Sequence, residues 1–209
     1  VIQILQPEKI EISIEDPEQR EDIERYLEKN IKDTPEKQEA IETILEASGG
    51  IFLIASILTE LYNTNKISIK EIKEIPPEAR RKMETYYEYL IEKLVREEDR
   101  KLAKTVLAII STAREPIGTR IIHIIIRHPD LYPQTPLRKI GEILDQIAFL
   151  LKTASPKYTP IHETVISYAQ QQIRETLGID PEDLEEILAE RILSKIEESD
   201  EAHEYAVKH

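Results

Sequence analysis

The sequence predicts a mainly α-helical fold with one small β hairpin, and three observations lead to this prediction. Apolar residues recur at helical spacing through most of the 209 residues, and only 5 residues are glycine. Helix starts carry an N-cap residue followed by a Pro and an acidic residue, with Asp16 as the cap before Pro17-Glu18 and Thr34 as the cap before Pro35-Glu36. Residues 149–153 form a short apolar run typical of a strand, and residues 154–157 carry the composition of a hairpin turn.

The composition excludes several classes of protein. The net charge of -13 argues against general nucleic-acid binding, and the absence of Cys excludes disulfides and Cys-based zinc sites. A reducing, cytoplasmic location fits a chain without Cys. No apolar run approaches the roughly 20 residues of a membrane-spanning helix, so no membrane partner is expected.

The first part of the chain predicts a helical bundle. Residues 1–5 form a short apolar run and residues 9–15 alternate as in a strand, and we expect their sheet partners to lie outside this sequence. One helix is predicted to begin at residue 17, and a second is predicted to begin at Thr34-Pro35-Glu36 and to stop at residues 48–50. A third helix is predicted over residues 51–61. The last of these is apolar around most of its circumference, which predicts a buried centre. A short helix or turn is expected at residues 68–72.

The second part predicts a helix-turn-helix with a β wing. A break at residues 75–77 precedes a long helix from residue 78, and three helices are then expected at residues 100–112, 118–127 and 137–148. Residues 114–117 are predicted as a turn between the first two. Three helices followed by a hairpin form the winged-helix arrangement. A further acidic helix begins at Asp180.

His162 is the candidate functional residue because it lies where the second hairpin strand ends and a helix begins. A helix N-terminus offers free N–H groups and a partial positive charge, and both favour a phosphate. The alternative is that His162 only caps the helix or packs under the hairpin. His123 and His128 are interpreted as a polar edge of their helix.

No self-sufficient active site is visible. The sequence lacks a G-x-x-x-x-G-K-[ST] phosphate loop, an H-E-x-x-H metal motif and a nucleophile elbow, and its His residues lack metal spacing. We therefore expect that this chain alone is not an enzyme.

Two classes of function without catalysis remain open, and the charge distribution bears on the first of them. Residues 101–170 carry a net charge of +4, between acidic flanks at residues 1–50 and 180–209 that carry -8 each. The mild positive charge allows a winged-helix DNA-binding regulator that would read DNA with residues 137–148. However, that helix is neutral, and its Ile140, Ile143, Leu144 and Ile147 are predicted to be core. The other class is a helical scaffold for partner proteins.

Six short stretches, in this order, resemble the signal-transduction NTPases of the NACHT and NB-ARC group, which are multidomain ATPase switches of the AAA+ class. They are I-E-I-S-I-E-D-P-E-Q-R-E-D-I-E-R-Y-L at residues 10–27, A-S-G-G-I-F-L-I-A at 47–55, I-P-P with Y-Y-x-Y-L at 75–90, A-R-E-P-I at 113–117, Y-T-P-I-H-E-T-V-I-S-Y at 158–168, and H-E-Y-A-V-K-H at 203–209. They are similar to the family's last core strand, helical lid, connecting helix, winged-helix turn, winged-helix His segment and first repeat helix.

The resemblance implies a division of the chain and a set of partners. Residues 1–15 would end the NTPase core, residues 16–74 would form the helical lid, residues 75–179 the linker helix and winged helix, and residues 180–209 the helix that leads to a repeat region. The phosphate loop and the metal-binding acid would precede Val1, so ADP or ATP with Mg would be bound by the parent protein and no cofactor by this segment. Partners would be the upstream core, the downstream repeats and further copies of the parent in a homo-oligomer.

The resemblance also implies a function and its residues. The segment would hold the ADP-bound closed state of a signalling switch and control oligomerisation, with His162 on the β-phosphate of ADP. The glycine turn of the lid would approach the adenine, and Gly50, Ile51 and Phe52 occupy that turn here. The NB-ARC branch has Gly-x-Pro at this place, whereas Gly50-Ile51-Phe52 is closer to the NACHT pattern.

Overall fold

The computed structural model describes residues 17–154 and 156–194, and the mainly helical prediction is confirmed. The chain divides into two compact units between Pro76 and Pro77, whereas the resemblance implies a division after residue 74. The strands expected at residues 1–5 and 9–15, the capping role of Asp16 and the repeat-like segment at residues 203–209 lie outside the described residues.

The first unit is built from helices around a small apolar core. The helices are α1 (Pro17–Asn30), α2 (Lys37–Ala47), α3 (Phe52–Asn63) and α4 (Ile69–Lys73). The buried side chains of α1, α2 and α3 include Ile23, Leu27, Ile44, Ile54 and Leu58, each with no exposed surface. Burial of these apolar side chains is what holds the helices together.

Two details of the first unit differ from the sequence prediction. Thr34 does not cap a helix: the N–H of Lys37 donates to the Thr34 carbonyl (3.0 Å), so residues 34–37 form a turn and α2 begins at Lys37. The prediction that α3 is buried around most of its circumference is wrong at its start, because Phe52 is 44% exposed. The predicted stop after α2 is confirmed; Gly49 and Gly50 have φ of 57° and 80°, which a residue without Cβ adopts without strain.

The second unit contains six α-helices, three short 3-10 helices and a small sheet within its described residues. In chain order they are α5 (Met83–Leu94), α6 (Arg100–Thr112), β1 (Ile117–Gly118), α7 (Thr119–Ile126), α8 (Leu137–Gln146), β2 (Leu151–Ala154), β3 (Lys157–Pro160), α9 (Glu163–Leu177) and α10 (Pro181–Leu193). Short 3-10 helices cover Ala79–Arg81, Glu97–Asp99 and Ala148–Leu150. The sheet is antiparallel with strand order β1-β3-β2, so β3 lies in the middle.

Three predictions for the second unit are corrected by the structure. The helix predicted from residue 78 begins at Met83, because Lys82 is extended with φ of -138° and ψ of 124°. Residues 149 and 150 belong to a 3-10 helix and not to a strand. Ile117, predicted as part of a turn, lies in β1 and pairs with Tyr158.

The core of the second unit surrounds α6. This helix packs against α7, α8, α9 and α10, and its packing against α9 is the most extensive. The prediction that Ile140, Ile143, Leu144 and Ile147 are core residues is confirmed, since each is at most 2% exposed. The apolar face of α8 is therefore turned into the protein.

A buried carboxylate ties the start of α6 to α8. The side chain of Asp99 is 2% exposed, and it contacts Arg96 Nη2 at 2.7 Å and Lys139 Nζ at 2.5 Å. Gln146 Nε2 donates to Asp99 Oδ2 at 3.1 Å. Burial by itself would raise the pKa of Asp99, but the hydrogen bonds and charges of Lys139, Gln146 and Arg96 outweigh it and lower the pKa.

We expect the Asp99→Asn variant to be less stable than the wild type by about 1.5–3 kcal/mol near neutral pH, the usual value of a hydrogen bond to a charged group. The pKa of Asp99 is lower in the folded state than in the unfolded state. The extra stability of the wild type is therefore present above the unfolded-state pKa of about 3.9, and it is lost as the pH falls through the folded-state pKa. Urea unfolding of both proteins at neutral pH and near pH 3 measures it. An equal difference at both pH values would show that the charge of Asp99 does not stabilise the fold.

Candidate functional site

The candidate site lies at the junction of β3 and α9, as the sequence predicts. The Ile161 N–H donates to the Leu150 carbonyl at 2.9 Å, which extends the hairpin pairing beyond Pro160. His162 follows in an extended conformation, with φ of -155° and ψ of 157°, and α9 begins at the next residue. The end of a strand pair therefore fixes the backbone of His162 immediately before a helix of 15 residues.

His162 is the N-cap of α9. Its Nδ1 accepts a hydrogen bond from the Thr164 N–H at 3.2 Å, and the Thr164 Oγ1 lies 3.0 Å from the same nitrogen. Because Nδ1 is an acceptor for the backbone N–H, the neutral ring carries its hydrogen on Nε2. The side chain is exposed, and Nε2 has no hydrogen-bond partner among the described residues. The capping role and an outward-facing donor thus occur in the same ring.

A buried tyrosine lies directly behind the cap. The Tyr87 hydroxyl lies 2.8 Å from Thr164 Oγ1, and the Tyr87 side chain has no exposed surface. Burial raises the pKa of Tyr87; the hydrogen bond with Thr164 lowers it by less, so the hydroxyl stays protonated at neutral pH. Hydrogen bonds therefore connect α5 with the imidazole of His162.

A second contact fixes α5 to α9 and α6. The Tyr168 hydroxyl donates to Glu88 Oε2 at 2.5 Å, and Lys104 Nζ lies 2.5 Å from Glu88 Oε1. The rings of Tyr87 and Tyr168 are in contact, with centroids 5.6 Å apart and an interplanar angle of 57°. Burial raises the pKa of Tyr168, and the hydrogen bond and negative charge of Glu88 raise it further, so this hydroxyl also remains a donor. Three helices meet in one satisfied polar cluster below the candidate site.

The second group of predicted residues forms a turn in the first unit. The Ile51 N–H donates to the Ser48 carbonyl at 3.0 Å, and Gly50 has a positive φ. The exposed ring of Phe52 lies against Tyr26, with centroids 4.8 Å apart and an interplanar angle of 57°. Gly50, Ile51 and Phe52 therefore present a glycine turn beside an accessible aromatic ring.

The first unit also has a cavity of about 680 Å³ beside the C-terminal end of α3 and the start of α4. The side chains of two lining residues, Lys32 and Asn63, donate to backbone carbonyls. Lys32 Nζ donates to the Asn63 carbonyl at 2.5 Å, and Asn63 Nδ2 donates to the Asn30 carbonyl at 2.8 Å. These polar groups already have partners, so they define no ligand.

His123 and His128, the other two histidines within residues 17–154 and 156–194, have structural partners. His123 Nε2 lies 3.0 Å from the Thr135 carbonyl, and His128 Nδ1 and Nε2 lie 3.6 Å and 3.9 Å from carboxylate oxygens of Asp130 and Glu190. Over residues 17–154 and 156–194, no group of three or more His, Asp or Glu side chains is arranged to hold a metal ion.

Sequence reasoning missed Tyr87, Glu88 and Lys104 as neighbours of the candidate site. Thr164 and Tyr87 are 77 residues apart, and Glu88 and Tyr168 are 80 apart. A Tyr-rich stretch at helical spacing signals a core face, but it does not show which hydroxyl meets which partner.

No protein-family model, curated protein or solved structure matches this chain. No helix in the described part of the chain combines the length and the apolar character needed to cross a membrane.

Proposed function

We propose that this chain is the helical lid and winged-helix segment of a nucleotide-dependent signalling switch, and that it holds the ADP-bound closed state. The observation that carries the proposal is His162: it caps α9 through Nδ1 and leaves the Nε2 hydrogen facing outward. A helix N-terminus together with an imidazole donor suits a phosphate group. His162 would contact the β-phosphate of ADP.

The order of elements in the second unit supports the winged-helix part of the proposal. Three helices, α6, α7 and α8, precede the β2–β3 hairpin, and β1 between the first two helices completes the sheet. This order supports the proposal of a helix-turn-helix with a wing, in which three helices precede a hairpin. The motif order described for the NACHT and NB-ARC group adds support for the switch.

The proposal assigns distinct roles to the segment and to the nucleotide core. The core, on the same polypeptide, would bind ADP or ATP with Mg and carry out any hydrolysis, and this segment would have no catalytic role. Gly50, Ile51 and Phe52 would lie on the adenine side, where an exposed aromatic ring can stack on a base. Loss of the His162 contact would favour the open form and allow oligomerisation, because a ligand shifts a switch only through different contacts in its two states.

The reading frame that encodes this chain tests the proposal first. We expect a G-x-x-x-x-G-K-[ST] motif within a few hundred residues upstream of Val1. The polypeptide that includes it should retain ADP more strongly than the same polypeptide ended after Pro76, as measured by release of a fluorescent ADP. An upstream frame without a phosphate loop, or equal ADP release from both polypeptides, would contradict the proposal.

A DNA-binding regulator is the second candidate, because the order of helices and hairpin in the described second unit would also suit a winged-helix DNA-binding protein. The cations of α8 are already paired: Arg138 Nε donates to Glu142 Oε1 at 2.9 Å, and Lys139 Nζ contacts the buried Asp99. Cations held by carboxylates contribute little to phosphate contacts, which supply most DNA affinity.

We therefore expect only weak, salt-sensitive binding to duplex DNA, with a Kd of about 10⁻⁴–10⁻⁶ M. Fluorescence anisotropy with a random oligonucleotide pool measures it, and the Arg138→Ala variant should bind as weakly as the wild type. Sub-micromolar, sequence-selective binding that Arg138→Ala abolishes would establish the DNA-binding alternative.

A further inference from the structure

We propose that Tyr87 of α5 is a positioning residue that orients the His162 imidazole through the hydroxyl of Thr164. The position of α5 would thereby control the donor that faces the phosphate. This inference rests on the proposed function, because it concerns the regulation of the same site. It assigns a role to residues that lie 77 positions apart in the sequence.

The geometry forms a continuous path of hydrogen bonds from α5 to the imidazole. The Tyr87 hydroxyl is 2.8 Å from Thr164 Oγ1, and that oxygen is 3.0 Å from His162 Nδ1. Tyr87 is fully buried, Thr164 is half-buried and His162 is exposed. The path therefore leads from the interior of the second unit to its surface.

The chemistry of the three groups gives the path one direction. His162 Nδ1 accepts from the Thr164 N–H, so it holds no hydrogen of its own. The Thr164 hydroxyl has a single hydrogen, and when it shares the one lone pair of Nδ1 with the Thr164 N–H, the hydroxyl oxygen is left to accept from Tyr87. The Tyr87 hydroxyl has its proton to donate. This order, Tyr87 to Thr164 to His162, keeps the hydrogen of the imidazole on Nε2, where it faces outward.

The location of Tyr87 suits control by movement of a helix. Tyr87 lies on α5, the first α-helix after the division between the units at Pro76 and Pro77. Its neighbour Glu88 is held by Tyr168 and Lys104, so α5 is fixed to α9 at two adjacent positions. A displacement of α5 would break the Tyr87–Thr164 contact and leave the Thr164 N–H as the remaining donor that holds Nδ1, so the preference for hydrogen on Nε2 would weaken.

Nuclear magnetic resonance of the imidazole nitrogens tests the positioning role on this chain without nucleotide. We expect His162 in the wild type to show one dominant tautomer with hydrogen on Nε2. Tyr87→Phe and Thr164→Val should both increase the tautomer with hydrogen on Nδ1, and Thr164→Ser, which keeps the hydroxyl, should restore the wild-type spectrum. Ser167→Ala is the matched control, because it removes a hydroxyl from α9 that lies outside both the path to His162 and the cluster that fixes α5.

Two spectral results would overturn the inference. If His162 is unchanged in Tyr87→Phe, or changes equally in Ser167→Ala, Tyr87 has no specific role in positioning it. The signals of residues remote from α5 report whether each variant is folded, so a general loss of structure is recognised separately. If Tyr87→Phe does not fold, the comparison of Thr164→Val with Thr164→Ser tests the part of the path that adjoins His162. Equal His162 spectra in these two variants would contradict the inference.

ADP release from the longer polypeptide separates this inference from the proposed function. Tyr87→Phe should accelerate release about threefold to tenfold, less than the loss of His162 itself, since one neutral hydrogen bond is involved. If His162→Ser accelerates release and Tyr87→Phe does not, the positioning role is wrong and the proposed function stands. If neither variant changes release, the proposed function is wrong and the regulatory role of Tyr87 falls with it.

Discussion

Replacement of His162 with Ser should accelerate ADP release from the longer polypeptide about tenfold to a hundredfold. A hydrogen bond to a charged phosphate contributes roughly 1.5–3 kcal/mol, and about 1.4 kcal/mol corresponds to a factor of ten. ATP affinity should change less, because the open form would hold His162 away from the nucleotide. Stopped-flow displacement of a fluorescent ADP, and of a fluorescent ATP, measures both effects.

The choice of Ser separates the phosphate contact from the helix cap. Ser is a preferred N-cap and can accept the hydrogen bond that the Thr164 N–H gives to His162 Nδ1, but it has no group in the place of Nε2. His162→Ala removes both roles and should cost the fold about 1 kcal/mol in addition. Unchanged ADP release in both variants, with a large fall in the melting temperature of His162→Ala, would show that His162 is only a structural cap.

Replacement of Tyr168 with Ala should lower the free energy of unfolding of the second unit by about 3–5 kcal/mol, as for other large buried aromatic residues. Tyr168 is 1% exposed, contacts the ring of Tyr87 and donates to Glu88, so its loss opens a cavity between α5 and α9. Tyr168→Phe keeps the ring and should cost about 1.5–3 kcal/mol through the lost hydrogen bond to a carboxylate. Urea unfolding combined with amide hydrogen exchange of α9 measures both variants.

Ser167→Ala provides the matched control on the same helix. Ser167 is exposed, so its replacement should change the stability by no more than about 0.5 kcal/mol. Amide exchange of α3 in the first unit gives a second reference within each sample. A cost for Tyr168→Ala as small as that for Ser167→Ala would show that the polar cluster does not hold α5 against α9.

Helices with a clear apolar period were predictable, and their ends depended on local chemistry. The predicted bounds of 100–112 coincide with α6, whose buried side chains follow the helical period. The helix predicted from residue 78 begins at Met83, because the apolar pattern of residues 83–94 does not show that Lys82 is extended. The start predicted at residues 34–36 has the composition of a cap, and the structure uses the same residues for a turn.

Long-range pairing lay beyond the sequence. Strand β1 has two residues, too few for an alternating pattern, and it is defined by its pairing with Tyr158 and Lys157. The location of His162 between β3 and α9 was predicted because a strand run, a turn and a helical period follow one another locally. The partner behind it, Tyr87, was not predicted, because its contact with Thr164 depends on how α5 packs against α9.

The nitrogen resonances of His162 in the longer polypeptide test the central claim most directly. With ¹⁵N-labelled histidine, saturating ADP should shift the Nε2 signal of His162 and produce a coupling to phosphorus through the hydrogen bond. ATP with Mg should leave this signal in its nucleotide-free position, and His123, which bonds to the Thr135 carbonyl, should respond to neither nucleotide. A His162 signal that is the same without nucleotide, with ADP and with ATP would contradict the assignment of His162 as the phosphate contact of the closed state.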